Sequence, residues 1–472
     1  MTVLTPTSDA EVIDVVSRAA EAFPVWSRLE REQRAVVLED IAAELEGARD
    51  ELVRIAGEET HLAEGRLNGE LTRTTFQLRL FGEVLRDGGY LGVRLDPADP
   101  EWPMGAPRPD LRRTARPLGP VVVYAASNFP FAFSVAGGDT ASALAAGCTV
   151  VVKAHTGHPA LSALTGDLVR RVIASHGLPD GVFSVVFGTQ AGVAVLQDAR
   201  IKAGAFTGSI AGGRALFDIA VSRPEPIPFY GELGSVNPVF VTAAAAEARA
   251  ESIAAGFIGS MTGSAGQLCT KPGVLVVPED SAIRGMLAAA DLGPAQPLLN
   301  PRIQSGYVAA VQTLRAHPGV EVLAGSADAL ADPPAPSLHG TDIDSVLADS
   351  ERLMAESFGP SALVVAYRDR AQLLELARVM DGQLTATIIG EADEEDLEPL
   401  VESLASRAGR VLWNQWPTGV SVTFAQQHGG PYPATTAAGT TSVGTSAIER
   451  FVRPVAYQGF PAHLLPAELR DA

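Results

Sequence analysis

The sequence predicts an α/β protein of two doubly wound domains with a small β element attached. Three observations carry that expectation. Val-rich runs alternate with amphipathic stretches at roughly 30-residue spacing, the signature of βαβ units in a parallel sheet buried on both faces. Two such series follow one another. The 472 residues, 46% of them hydrophobic, suffice for two well-filled cores.

The elements follow in order. Residues 8 to 87 have helical spacing, in SDAEVIDVVSRAAEAF and then as one run from REQRAVVL to GEET. Ser8 with Glu11 three positions on reads as a capping box. Prolines break the pattern in DPADPEWPMGAPRPDLRRTARPLGP, read as a loop and a short exposed hairpin. The first series comprises the strand PVVVYAA, the helix GGDTASALAAG, the strand CTVVVKA, a helix from Pro159 to a closing glycine, and the strands VFSVVFG and KAGAFTGS. The second opens near NPVFVTAAAA and continues through a helix to the strands GVLVVP, SALVVAY, ATIIG and RVLWN. The acidic run EADEEDLEPL reads as a solvated helix start. No repeat of fixed period is visible.

Charge and cysteine usage narrow the function. With 55 acidic against 36 basic residues, a net charge of -19 and no Lys/Arg-rich run, nucleic-acid binding is not expected, although a few local arginines leave an anionic small substrate open. No apolar run approaches the ~20 residues that span a bilayer, and MTVLTPTSDAEVID carries no basic-then-apolar signal. The expectation is a cytoplasmic protein without membrane partners. Two cysteines without CxxC or clustered His predict neither a disulfide framework nor a metal site.

Cys148, in AAGCTVVVK, reads as core. Cys269 instead sits in the Gly/Ser loop GSAGQLCTKPG, where backbone N–H groups can face the sulfur and a reactant can approach; the loop alone does not separate a nucleophile from an inert thiol. AFTGSIAGGRALF turns from strand to helix through Gly208 and Ser209, a phosphate-binding geometry without G-x-G-x-x-G spacing. Asn128 in SNFPF follows a strand, where it can donate to a reacting oxygen or cap a turn. Glu232 in FYGELGSVNP is, by itself, an ordinary loop glutamate.

Together SNFPF, VVVKAH, FTGS, ELGSVNP, GQLCTKPG, ESFGP and WNQWPTG occur in the order and approximate spacing of the aldehyde dehydrogenase superfamily, which the chain resembles over nearly its whole length. The resemblance implies a cofactor-binding domain (1–231, interrupted near 104–118 by an oligomerisation hairpin), a catalytic domain (232–430) and a C-terminal return and oligomerisation segment (431–472), assembling as a homodimer or homotetramer. It implies that Cys269 attacks an aldehyde, that the Asn128 amide and the Cys269 N–H hold the oxyanion, and that Glu232 activates water against the thioester. Lys153, Gly208, Ser209, Glu356 and Phe358 match cofactor-binding positions. Thr156 stands where NAD-specific members carry glutamate, which favours NADP while leaving NAD possible; His155, His158 and Arg214 are minor candidates beside it.

KAHTGHP, QQHGGPYPATT and the ending TSVGTSAIERFVRPVAYQGFP look most like 2-oxoglutarate semialdehyde (2,5-dioxopentanoate) dehydrogenases. His428 and Phe131 are then substrate-binding, with Phe131 at the entrance and Arg450 and Arg453 flanking the C-terminal loop. A long-chain aldehyde is the runner-up substrate. A cysteine hydrolase would need a histidine base, and no His lies in a motif pairing with Cys269. Glu232 argues against a CoA-acylating enzyme, and the trio Asn128, Glu232 and Cys269 against an inactive binding protein on this fold.

Overall fold

The computed structural model describes residues 5–325 and 327–470. Of the expected segments, residues 1–4, 326 and 471–472 lie outside the described residues.

Four helices open the chain. Asp9–Arg28 begins at the expected capping box: Ser8 Oγ accepts the Glu11 N–H at 3.4 Å, and the Glu11 carboxylate accepts the Ser8 N–H at 2.7 Å. Trp26, buried at its far end, donates to the Leu144 carbonyl at 3.1 Å and ties the helix to Gly138–Ala146. The single helix expected up to Thr60 is two, Arg31–Gly47 and Arg49–Thr60. The break at Ala48 adjoins Gly47, a poor helix former. Glu64–Asp87 completes the set.

A five-stranded parallel sheet follows, in the order Phe183–Val186, Val150–Lys153, Val121–Tyr124, Ala203–Thr207, Phe229–Glu232. Val121 and Val123 enter one apolar cluster with the N-terminal helices and Val122 enters another, so both faces are buried. Cys148, fully buried, belongs to the first cluster. The chain enters at Val121–Tyr124, winds outward to one edge and returns to the other. The crevice between Val121–Tyr124 and Ala203–Thr207 is therefore the topological switch point, at whose C-terminal edge ligands bind. The tract FYGE, read as loop, is the last strand of this sheet.

The second sheet has seven strands, Glu321–Gly325, Ser337–Asp342, Ser361–Tyr367, Val274–Pro278, Val239–Val241, Gln383–Ile389 and Ala408–Trp413, parallel apart from the first antiparallel pair. The acidic run departs from expectation, because the helix begins only at Glu398. Glu391 instead pairs with Arg249 at 2.6 Å, and Glu394 accepts the Thr242 hydroxyl at 2.5 Å.

Arg94–Asp96 and Leu111–Pro117 form the expected hairpin, and Val452–Gln458 adds a third antiparallel strand. Among the described residues no helix is long and apolar enough to cross a membrane.

Candidate active site

The reactive groups meet between the C-terminal edge of the first sheet and the N-terminal edge of the second. Asn128 follows Val121–Tyr124, Gly208 and Ser209 follow Ala203–Thr207, and Glu232 ends Phe229–Glu232. Cys269 and Glu356 arrive from the other side, on loops preceding Val274–Pro278 and Ser361–Tyr367.

A tight left-handed turn presents Cys269. Ser264, Ala265 and Gly266 have φ of 54°, 53° and 68°, a conformation that costs the two non-glycine residues energy and persists only where neighbours enforce it. A Cβ at Gly266 would lie 2.1 Å from the Gly359 carbonyl oxygen, so only glycine lets the cysteine loop touch ESFGP. Asn237, fully buried, donates through Nδ2 to the carbonyls of Cys269 at 2.8 Å and Lys271 at 2.9 Å. Lys271 Nζ donates to the carbonyls of Ser357, Gly359 and Ser361. Neither residue stood out in the sequence. Their signal was present, since a polar residue just before a run of apolar strand residues must bond something once buried.

Glu232, Cys269 and His428 place their reactive atoms within 4.8 Å of one another. His428 Nε2 is 2.8 Å from Glu232 Oε1 and 3.6 Å from Cys269 Sγ. Ser442 donates to the other carboxylate oxygen. Burial raises the Glu232 carboxyl, but the charge and hydrogen bond of His428, with the hydrogen bonds of Ser442 and Cys269, outweigh it and hold the group below its ordinary value. Burial, then the charge of Glu232, push the Cys269 thiol well up, opposed by Arg73. At rest the sulfur is therefore a thiol that donates to the Glu232 carboxylate.

Two expectations change here. A histidine does pair with Cys269: the loop at 426–436 returns over the site, bridging Glu232 to Thr435, and sets His428 behind the carboxylate. This long-range return is invisible to local motifs. His428, expected to bind substrate, is thus enclosed beside Glu232 and 1% exposed. Phe131, expected at the entrance, is buried in the main core, its N–H donating to Glu70 Oε1 at 2.8 Å. Asn128 donates through Nδ2 to the Gln267 carbonyl at 3.1 Å, beside the cysteine loop, which engages one of its two amide hydrogens.

The remaining positions lie along the crevice. Ser209 caps Ile210–Ser222, its Oγ accepting the Gly212 N–H at 3.2 Å, and both Ser209 and Gly208 are exposed at the positive end of that helix. Lys153, half-buried at the end of its strand, is lowered by burial and then by the charge of Arg302. Thr156 is exposed in the adjoining turn, and Asn300 of the second domain approaches Gly157 there. The two cations lie near enough to act on each other and suit an anionic group. Of the minor candidates, His158 is fully buried and bonds Ala126 and Ser162, and Arg214 is engaged by Asp218. Burial lowers His155 well below its usual range, leaving it neutral. Glu356 lies against Gly234, where a Cβ would meet its Oε2 at 2.5 Å, and Phe358 is half-buried in the same loop. Arg450 is spent on a buried ion pair with Asp139 at 2.7 Å, and Arg453 faces Arg116 across the small sheet.

Residues 3–453 match the profile described as the aldehyde dehydrogenase family. The chain is 43% identical over 469 residues to the alpha-ketoglutaric semialdehyde dehydrogenase of Acinetobacter baylyi, covering 98% of this chain and 89% of that one. It is 44% identical over 474 residues to alpha-ketoglutaric semialdehyde dehydrogenase 2 of Azospirillum brasilense, covering 98% and 90%. Its fold is similar to the crystal structure of the methylmalonate-semialdehyde dehydrogenase DddC from Oceanimonas doudoroffii, with a TM-score of 0.80 at 21% identity over 97% of this chain and 92% of that one.

Proposed function

The chain belongs to the aldehyde dehydrogenase family, and on that premise we propose that it oxidises 2-oxoglutarate semialdehyde to 2-oxoglutarate with NADP. The observation that carries the substrate is the 43% and 44% identity, over 98% of the chain, to relatives named for it.

In this reading the Cys269 sulfur, ionised by loss of its proton to solvent, adds to the aldehyde carbon. The second amide hydrogen of Asn128 and the Cys269 N–H hold the resulting oxyanion; removing one such donor costs about 10²- to 10³-fold in turnover. A bound dinucleotide supplies the hydride acceptor. Lys153, Gly208, Ser209, Glu356 and Phe358 would hold it, with Thr156 and Arg302 toward the 2′-phosphate; the uncharged Thr156 near Lys153 supports NADP. Glu232, ionised and oriented by His428 and Ser442, then draws a proton from the water that cleaves the thioester.

The division into a cofactor part (1–231), a catalytic part (232–430) and a returning C-terminal segment (431–472) belongs to the same reading. So does a homo-oligomer, supported by the exposed Leu95, Met104 and Leu464 about the small sheet. A cytoplasmic setting fits a nucleophile that must stay reduced and two free cysteines. The test is a steady-state panel of 2-oxoglutarate semialdehyde, glutarate semialdehyde, hexanal and decanal with each dinucleotide. A much larger kcat/KM for the aliphatic aldehydes would overturn the substrate.

A further inference from the structure

Helix Glu64–Asp87 carries Arg66, Glu70 and Arg73 at spacings of four and three, on one face. This face looks onto the reactive groups. Arg66 Nη2 donates to the Asn128 carbonyl at 2.5 Å, and its guanidinium lies 5.1 Å from the centre of the Phe129 ring. Arg73 lies 5.2 Å from the centre of the Phe133 ring, and that ring is 6.2 Å from the imidazole of His428. Phe129 and Phe133 meet edge to face at 5.3 Å and, with Val420, Val422 and Val443, form an apolar wall.

Buried within this wall, Nη1 of Arg66 and Nη1 of Arg73 have no hydrogen-bond partner. Glu70 does not satisfy them, because its Oε1 accepts the N–H groups of Phe131 and Ala132 at 2.8 and 2.9 Å and its Oε2 is likewise unpartnered. Burial lowers both guanidiniums and the charge of Glu70 opposes it first; beyond Glu70, the Cys269 sulfur, once ionised, reaches both, and Glu232 reaches Arg73. Arg410, the third arginine affected by Cys269, is already occupied by the carbonyls of Pro417 and Gly419. Unpaired buried donors are costly to a protein that gains nothing from them. A planar guanidinium with free N–H groups matches a carboxylate two-pronged, as a lysine could not.

We propose that Arg73, assisted by Arg66, binds the carboxylate of the substrate and selects anionic semialdehydes over neutral aldehydes. The proposal rests on the substrate reading above, and it divides the work. Arg66, which also holds the backbone of Asn128, serves every aldehyde; Arg73 serves the acids alone. The apolar wall accepts the methylene groups between the two ends.

The experiment compares 2-oxoglutarate semialdehyde, glutarate semialdehyde and pentanal, all of five carbons, in the unmodified enzyme, Arg73→Met and Arg73→Lys. The unmodified enzyme must prefer the acids; if pentanal is equal or better, the substrate reading and the proposal both fall. Given that preference, Arg73→Met is expected to lose about 10- to 100-fold in kcat/KM for both acids, mostly in KM, with pentanal changed less than about threefold. Arg73→Lys keeps the charge over Phe133 and is expected to lose about tenfold with the acids. Equal losses on acids and pentanal, or retained preference in both variants, would overturn the arginine while sparing the substrate. Protection of Cys269 from iodoacetamide by 2-oxoglutarate gives a second reading that needs no turnover: it should weaken at least tenfold in Arg73→Lys, and unchanged protection would count against the proposal.

Discussion

His428 Nε2 stands 2.8 Å from Glu232 Oε1, and both side chains are almost wholly enclosed. A carboxylate in that position keeps its charge only because a donor faces it. Replacing the donor by His428→Leu removes the largest influence holding the carboxyl down, so burial is left to raise it. A raised pKa means that more base is protonated at a given pH. The acid limb of the kcat–pH profile should therefore move to higher pH in the variant, and an unmoved limb would show that the histidine does not sustain the base.

Glu232→Gln should separate the two halves of turnover. The variant is expected to give one equivalent of reduced cofactor in a rapid burst and then slow by about 10²- to 10⁴-fold, the usual worth of a general base. Stopped-flow absorbance at 340 nm reads both phases. Loss of the burst together with the steady state would assign the carboxylate an earlier task, such as deprotonating Cys269.

The two thiols should differ in kind. Cys148 is fully buried, donates to the Phe451 carbonyl at 3.4 Å, and is pushed up to about 11 by burial. Iodoacetamide should leave it untouched until the protein unfolds. Cys269 should be alkylated slowly in the cofactor-free protein at neutral pH and faster as pH rises, because its thiol lies well above the ordinary value. Peptide mass mapping over a pH series checks both. Cys269→Ala should abolish oxidation while retaining cofactor binding measured by fluorescence quenching.

Thr156→Glu places an anion beside Lys153 and Arg302. It should raise KM for NADP by about ten- to a hundredfold and change that for NAD little, since only the 2′-phosphate meets the new charge. If the unmodified enzyme used NAD equally well, the turn at Thr156 would merely tolerate the phosphate.

Light scattering should give a mass at least twice that of one chain. The strand Val452–Gln458 is an edge of the small sheet, and unpaired edges of this kind are commonly covered by a second copy. A monomer at working concentration would refute the expected assembly.

Strand and helix positions of the two α/β series were legible because their periodicity is local. Val121–Tyr124 and Val150–Lys153 are runs of buried residues that only a doubly covered sheet accommodates. Cys269, Glu232 and Asn128 stood in motifs, and their meeting at the sheet edges follows from the strand order. The pairing of His428 with Glu232 was not legible, since it depends on a return across 196 positions. Nor was the role of Arg73: in a stretch of helical spacing, an arginine looks like solvent-facing charge until Phe133 is found beneath it. That the start of the acidic run is not helical was illegible, because Glu391 and Glu394 bond Arg249 and Thr242, partners far back in the chain.

The depressed acidity of Cys269 has a consequence outside the catalytic cycle. Peroxides attack thiolates far faster than thiols, and the first product, a sulfenic acid, disables a nucleophile. An enzyme waiting without substrate holds its sulfur protonated against an anionic neighbour, and Cys148 is too deeply enclosed to form a disulfide with it. The same Glu232 that later activates the hydrolytic water thus shields the cysteine chemically during idleness, so the resting protein should outlast oxidants that would quickly silence a thiolate.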